Sequence, residues 1–153
     1  MTREDNLSVS ELIRTNLKKH NLDIPGTVYF DKILDNLYEF YSEDIRRGYY
    51  VMVDESNRVI GGIGLDEFTP IPKCAELQKL YLDDRVKGNG LGYKLIEFIE
   101  DKMREKGYSS SYLETHHNLE AAIHIYEKSG YKKIERPKEI NHGAMTGFYF
   151  KNL

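Results

Sequence analysis

Apolar residues recur at helical spacing through the first third of the chain, as Val9, Leu12, Ile13 and Leu17 and again as Ile33, Leu34, Leu37, Phe40 and Tyr41. Such stripes predict two amphipathic helices between about residues 7 and 45. Turn residues and Pro25 in the stretch 21–26 separate them, and Asp31 stands where the second helix needs a cap. From residue 49 the texture changes to β. Residues 49–53 and 58–65 predict an antiparallel hairpin closed by the polar turn Asp54-Glu55-Ser56-Asn57. Pro70 and Pro72 mark 68–73 as a loop, and residues 75–82 read as the next strand. Its alternation is irregular. Leu77 cannot share a face with Leu80 and Leu82, so either both faces are buried or a bulge near Gln78 and Lys79 resets the register.

After a glycine-rich turn, Leu91, Leu95, Phe98, Ile99 and Met103 form one helical stripe that ends at Lys106-Gly107. A strand over 108–114 follows, then a helix over 119–128 capped by Asn118 and closed by Gly130. Strands over 131–135 and 146–150, on either side of a loop at 137–143, complete the pattern. This order of elements predicts an α/β (α+β) fold on a mixed, mostly antiparallel sheet.

At 153 residues, with 40% apolar and 31% charged side chains, the chain is expected to form one folded domain over 1–153 and not a disordered segment. Its 22 basic and 25 acidic residues leave no basic excess, which argues against a general nucleic-acid surface. No apolar run approaches the ~20 residues that cross a bilayer, and the opening MTREDNLSVS lacks the basic-then-apolar pattern of a secretory signal, so a cytoplasmic protein with no membrane partner is expected. The single cysteine, Cys74, excludes an internal disulfide and a cysteine zinc site. His20, His124 and His142 are scattered without acidic partners at ligand spacing, so no metal site is expected.

The chemistry is concentrated where the strand over 75–82 ends. Lys87-Gly88-Asn89-Gly90-Leu91-Gly92-Tyr93 joins that strand directly to the long helix. Three alternating glycines either merely shape the turn or leave a concave row of amides at a helix N-terminus, where the dipole favours a pyrophosphate. The Lys-Ser/Thr ending of an ATP-hydrolysing loop is missing. A dinucleotide fold fits poorly too, since no parallel βαβ repeat precedes the turn.

A second segment, Asn118-Leu119-Glu120-Ala121-Ala122-Ile123-His124-Ile125-Tyr126-Glu127-Lys128-Ser129-Gly130-Tyr131, decides between these readings. The two segments together resemble the GNAT family of N-acetyltransferases. Lys87-Gly88-Asn89-Gly90-Leu91-Gly92 is similar to the family's Arg/Gln-x-x-Gly-x-Gly/Ala turn, with Lys87 in place of Arg or Gln. The run from Asn118 to Tyr131 is similar to its Asn, small residues, Leu/Ile-Tyr-Glu-Lys-x-Gly-Phe/Tyr pattern. The resemblance spans residue 49 to the C-terminus. It implies a sheet of about six to seven strands flanked by about four helices and splayed between the fourth and fifth strands. The segment before the first helix is too short for a good first strand.

The resemblance also implies a site. Acetyl-coenzyme A would lie in the splay, its pantetheine arm along the backbone of Leu80, Tyr81 and Leu82, its pyrophosphate on Lys87, Gly88, Asn89, Gly90, Leu91, Gly92 and Tyr93, and Asn118 beside the arm. A backbone amide near Leu82 would meet the oxyanion. Tyr126 matches the tyrosine whose phenol hydrogen-bonds to or protonates the leaving thiolate; it would otherwise pack on the helix's apolar stripe with its hydroxyl at the rim. Glu76 matches the glutamate that serves as base, directly or through water; it would otherwise be an ordinary strand carboxylate. His116 and His117 are either a second source of the base or a solvated loop pair. Tyr29, Tyr38, Tyr41, Tyr49 and Tyr50 either frame the acceptor or pack the helices on the sheet. Asp83-Asp84 reads as a solvated turn or as a pair that helps attract a cationic acceptor. The implied activity is transfer of an acetyl group from acetyl-coenzyme A to a primary amine of a small molecule or an exposed amino group. The alternatives are a non-catalytic acyl-coenzyme A sensor on the same fold and an accessory domain docking through its N-terminal helices. Many members of the family are dimers, so a homodimer is a further expectation.

Overall fold

The computed structural model describes residues 1–140 and 143–153. Its strands are β1 (Gly48–Val53), β2 (Val59–Glu67), β3 (Cys74–Leu82), β4 (Ser110–Thr115), β5 (Lys132–Ile134) and β6 (Gly147–Asn152). They form one sheet in the order β1-β2-β3-β4-β6-β5. Every pairing is antiparallel except that of β3 with β4. A parallel pair needs a long crossover, and helix α3 (Leu91–Glu105) supplies it. Among the described residues there are three further α-helices, α1 (Asn6–Lys19), α2 (Leu37–Ser42) and α4 (Glu120–Lys128). The mixed, mostly antiparallel sheet with about four helices is thus as expected, with six strands among the described residues and none before α1.

Strand alternation gives the sheet two buried faces. On one, Val9, Ile13 and Leu17 of α1, with Leu34 and Leu37, pack on Tyr41 and Tyr49. On the other, Ile63, Leu65 and Leu77 meet Leu95, Ile96, Ile99 and Met103 of α3 and Tyr126 of α4. Each fully buried aliphatic side chain in these layers contributes about 1.5–3 kcal/mol. None of the helices among the described residues is long and apolar enough to cross a membrane.

Three of the departures from the periodicity have a clear local reason. The stripe at 33–41 is not one helix. Residues Lys32–Asn36 form a 3-10 turn capped by Asp31, whose Oδ1 accepts the Ile33 N–H at 2.9 Å. The chain then bends at Asn36, with φ −137°, and α2 begins. Asn6 of α1 caps that second start, its Oδ1 accepting the Tyr38 N–H at 2.8 Å. The strands expected to start at 108 and 131 start two residues and one residue later. The Tyr108 N–H turns back to Met103 O (3.0 Å) and the Tyr131 N–H to Tyr126 O (3.1 Å), so both amides close the preceding helices.

Asn118 is a correction of the capping assignment. The residue before α4 is Leu119, with no side-chain cap. The Asn118 Nδ2 instead donates to His20 O at 2.9 Å, an orphan carbonyl at the end of α1. The expected loop at 137–143 turns with Ile140 N–H on Pro137 O; Asn141 and His142 lie outside the described residues.

Candidate active site

The irregular strand resolves as a bulge. Opposite β2, Gly62 pairs with Tyr81 and Gly64 with Gln78, so Lys79 and Leu80 face the single residue Ile63. Lys79 has φ +48°, a left-handed conformation that a long side chain seldom adopts. The Tyr49 hydroxyl donates to the bulged Lys79 carbonyl at 3.0 Å. Pairing with β4 covers only Cys74, Ala75 and Glu76, opposite Ser110, Ser111 and Tyr112. Beyond Glu76 the two strands part. Asn16 of α1 donates to the Leu82 carbonyl at 3.2 Å, but β4 offers no ladder to residues 77–82.

At the end of β3 the chain makes a short turn at Asp84–Val86, capped by Asp83, and enters the glycine segment. Its glycines divide the work. Gly88 (φ +82°) and Gly90 (φ +72°) hold backbone conformations that strain any L side chain, and open space surrounds their missing Cβ atoms. Gly92 serves packing, because a Cβ there would lie 2.8 Å from Ile125 Cδ1 of α4. Gly90 is the N-cap of α3 and supplies no side-chain cap, so the first amides of a 15-residue helix are left for a ligand or water. The Lys87 ammonium bonds Asn16 Oδ1 at 2.9 Å and pairs with Asp84 at 2.5 Å, and Lys19 pairs with the same carboxylate.

A cavity of about 650 Å³ runs from this turn into the splay. Of the residues expected at the site, Glu76, Leu80, Tyr81, Leu82, Lys87, Gly88, Gly90, Leu91, Gly92, Tyr93 and Tyr126 line it; Asn89 and Asn118 do not. Asn89 is exposed and donates to Val86 O. Among the described residues the Tyr126 hydroxyl makes no protein hydrogen bond, and burial, with Tyr81 nearby, pushes its ionisation far above the ordinary phenol range. It stays a proton donor throughout the neutral range.

Glu76 enters from the other face of β3 and accepts a hydrogen bond from Gln78 Nε2 at 2.8 Å. Burial pushes its carboxyl up to about 7; Gln78 and Lys79 oppose that rise, and Glu114 and Asp66 add to it. A carboxyl titrating there is poised to take a proton near neutral pH.

The structure adds Thr115, which strand periodicity alone gave no reason to single out. Its Oγ1 is buried, lacks a hydrogen-bond partner among the described residues, and belongs to a residue that lines the cavity at the end of β4. An unmet buried hydroxyl costs about 1–3 kcal/mol, so this atom fits a site that a polar ligand completes.

His116 and His117 do not line the cavity. His116 is buried, its Nδ1 accepts the Asn118 N–H at 3.1 Å, and burial with His117 beside it lowers its affinity for a proton. The five tyrosines of the N-terminal region also stay out of the cavity lining; Tyr41 and Tyr49 are core. Among the described residues no group of three or more His, Cys, Asp or Glu side chains is arranged to hold a metal ion.

The fold and site together define an acyltransferase class. The acetyltransferase (GNAT) family model matches residues 15–131, and the chain belongs to that family. It is 34% identical over 137 residues to an uncharacterized N-acetyltransferase, YjgM, of Escherichia coli K12, covering 88% of this chain and 81% of that protein. Among solved structures it resembles an acetyltransferase of the GNAT family from Staphylococcus aureus Mu50, with a TM-score of 0.88 at 21% identity over 100% and 96% of the two chains. It also resembles the PaiA N-acetyltransferase of Thermoplasma acidophilum, solved in complex with coenzyme A, with a TM-score of 0.78 at 20% identity over 100% and 96%. N-acetyl transfer is the reaction class these relationships support.

Proposed function

We propose that the protein transfers an acetyl group from acetyl-coenzyme A to a primary amine carried by a small molecule or an exposed amino group. One observation carries this reading: a single cavity joins a strand splay, a glycine turn at a helix N-terminus, a carboxyl poised near neutrality and a phenol without a hydrogen-bond partner among the described residues.

When bound, acetyl-coenzyme A supplies an acetyl thioester. The backbone edge at Leu80, Tyr81 and Leu82 that β4 leaves unpaired would hold its arm, with the Leu82 carbonyl already bonded by Asn16, and Thr115 Oγ1 would gain a partner there. The first amides of α3, with the Lys87 ammonium, hold the pyrophosphate. Glu76 accepts the proton of the attacking amine, directly or through water, as the N–C bond forms. Tyr126 donates a hydrogen bond to the sulfur as the C–S bond breaks, so coenzyme A leaves as a stabilised thiolate that takes its proton from water. Asn89 and Asn118 act from the margin; Asn118 does so by tying the loop before α4 to the end of α1.

Calorimetric titration with acetyl-coenzyme A, followed by thiol release with a panel of amines, tests the reading. Binding with amine-dependent release is expected. Binding without release across the panel favours the sensor alternative, and absence of binding overturns both.

Two variants probe the cofactor side. Gly90→Ala is expected to weaken acetyl-coenzyme A binding about tenfold and lower the melting temperature by a few degrees, because alanine costs about 1–2 kcal/mol in a left-handed conformation. Crowding plays no part, since no atom lies within 4 Å of the added Cβ. Thr115→Val removes a hydroxyl that has no hydrogen-bond partner among the described residues. The melting temperature is expected to hold or rise while acetyl-coenzyme A affinity falls about tenfold. Equal affinity in calorimetry would remove Thr115 from the site.

A further inference from the structure

Behind Glu76 a line of side chains carries hydrogen bonds in one direction. Lys79 Nζ donates to the Tyr41 hydroxyl at 3.2 Å, Tyr41 donates to Gln78 Oε1 at 2.7 Å, and Gln78 Nε2 donates to Glu76 Oε2 at 2.8 Å. Each donor points toward the carboxylate. The order starts at an ammonium, which only donates, and ends at a carboxylate, which only accepts. That polarity fixes the Gln78 amide, since its reverse would set the amide oxygen against the carboxylate. The bulge makes the line possible. It places Gln78 and Lys79 as consecutive residues that both reach Tyr41, which regular alternation forbids. Tyr41 itself is locked, buried against Phe40 at a ring distance of 4.9 Å and Tyr49 at 5.2 Å.

We propose that Gln78, Tyr41 and Lys79 are positioning residues that hold the Glu76 carboxylate in one orientation and keep it ionised for proton acceptance. The inference rests on the reading of Glu76 as the base. The surroundings explain why such support is needed. Glu114 and Tyr112 from β4, Asp66 from β2 and the Tyr41 phenol from α2 all face Glu76 or its field, with Cys74 on its own strand. Asp66 and Glu114 push against a negative charge at Glu76, and Arg47 engages Asp66 at 3.1 Å. Against burial and those two carboxylates, the charge on Glu76 is favoured by the amide of Gln78 and the ammonium of Lys79. Lys79 is subject to the same balance, burial drawing its proton affinity down and Glu76 drawing it up.

Tyr41→Phe keeps the ring and removes the central link; Gln78→Met removes the last. Two measurements on the full chain are expected to move together. In carboxyl 13C titrations the Glu76 midpoint rises by about half a pH unit in Tyr41→Phe and by about one in Gln78→Met. The acidic limb of the kcat/KM profile for acetyl transfer shifts upward by the same amounts, while the high-pH plateau stays within about threefold. A Glu76 midpoint that coincides with wild type in both variants overturns the chain. Loss of plateau without a moved midpoint does the same, because it marks a packing role alone. A moved midpoint with an unmoved kinetic limb supports the chain and overturns Glu76 as the base. Glu76→Gln separates the two ideas again, since a limb that survives it belongs to another group.

Discussion

Glu76→Gln is expected to lower kcat/KM for acetyl transfer by about 10²–10³-fold near neutral pH and to abolish the acidic limb of the pH profile. The assay is thiol release with an amine that supports turnover in wild type. The neutral amine that attacks must shed a proton as the N–C bond forms, because its nitrogen becomes cationic. A carboxyl held at about 7 is ionised often enough to accept that proton, and basic enough to do so with little cost. Glutamine keeps the size and the contact with Gln78 but binds no proton. Acetyl-coenzyme A affinity is expected to stay within about twofold, because Glu76 is four residues short of the backbone at Leu80, Tyr81 and Leu82 proposed to hold the arm.

The same substitution has an opposite effect on stability. The Glu76 carboxyl binds its proton more tightly in the folded chain than its ordinary value of 4.5 allows, so its contribution to stability is complete below about 4.5 and is lost as pH rises to about 7. At pH 8 the folded chain carries a buried charge it would shed if it could. Glu76→Gln is therefore expected to stabilise the fold at pH 8 by about 2 kcal/mol and to do nothing of the kind at pH 4. Thermal melts across that range read the crossing. An inactive variant that is also less stable at pH 8 overturns this account, since it points to a structural carboxylate.

Much of this arrangement is legible in the chain before any coordinates. Periodicity separates helices from strands because most elements bury one face only, and the departures are informative. The misfit of Leu77 with Leu80 and Leu82 marks the bulge, which opens the splay and brings Gln78 and Lys79 to one tyrosine. The glycine turn is readable because glycine is the residue that accepts φ near +80° freely. Lysine carries no such signature, so the left-handed Lys79 is not readable, nor is the chain of bonds it starts.

Contacts between distant segments are equally silent. Asn118 looks like a cap because asparagine before a helix usually is one. In the fold a nearer need, the bare His20 carbonyl, takes its amide. The tyrosines of the N-terminal region are ambiguous for a related reason, since an amphipathic ring suits a pocket wall and a core edge alike. For Tyr49 the glycines on β2 show the core packing. A Cβ at Gly62 would lie 2.5 Å from Tyr49 Oη and one at Gly64 2.7 Å from Tyr49 Cδ2, so that strand is hollowed to receive the ring. Thr115 escapes notice because nothing in sequence says whether a strand hydroxyl has a partner.

Tyr126→Phe carries the other large expected effect, a fall in kcat of about 10²-fold with acetyl-coenzyme A affinity changed less than about threefold. As the C–S bond breaks, negative charge gathers on sulfur. The Tyr126 phenol is buried, keeps its proton through the neutral range and has no competing protein partner among the described residues. Its donor capacity is thus unspent until a leaving group needs it. The hydroxyl therefore adds little to the folded state, and its loss is expected to leave the melting temperature unchanged or slightly raised. Stopped-flow thiol release, thermal melts and calorimetry on one preparation compare the three quantities. The acidic limb stays where wild type has it, because Glu76 still accepts the amine's proton. A kcat within about threefold of wild type would falsify the donor role and leave the leaving thiolate to backbone amides or water. A kcat loss matched by a loss of stability would instead make Tyr126 a core residue whose ring, packed with Tyr131 at 6.1 Å, matters more than its hydroxyl.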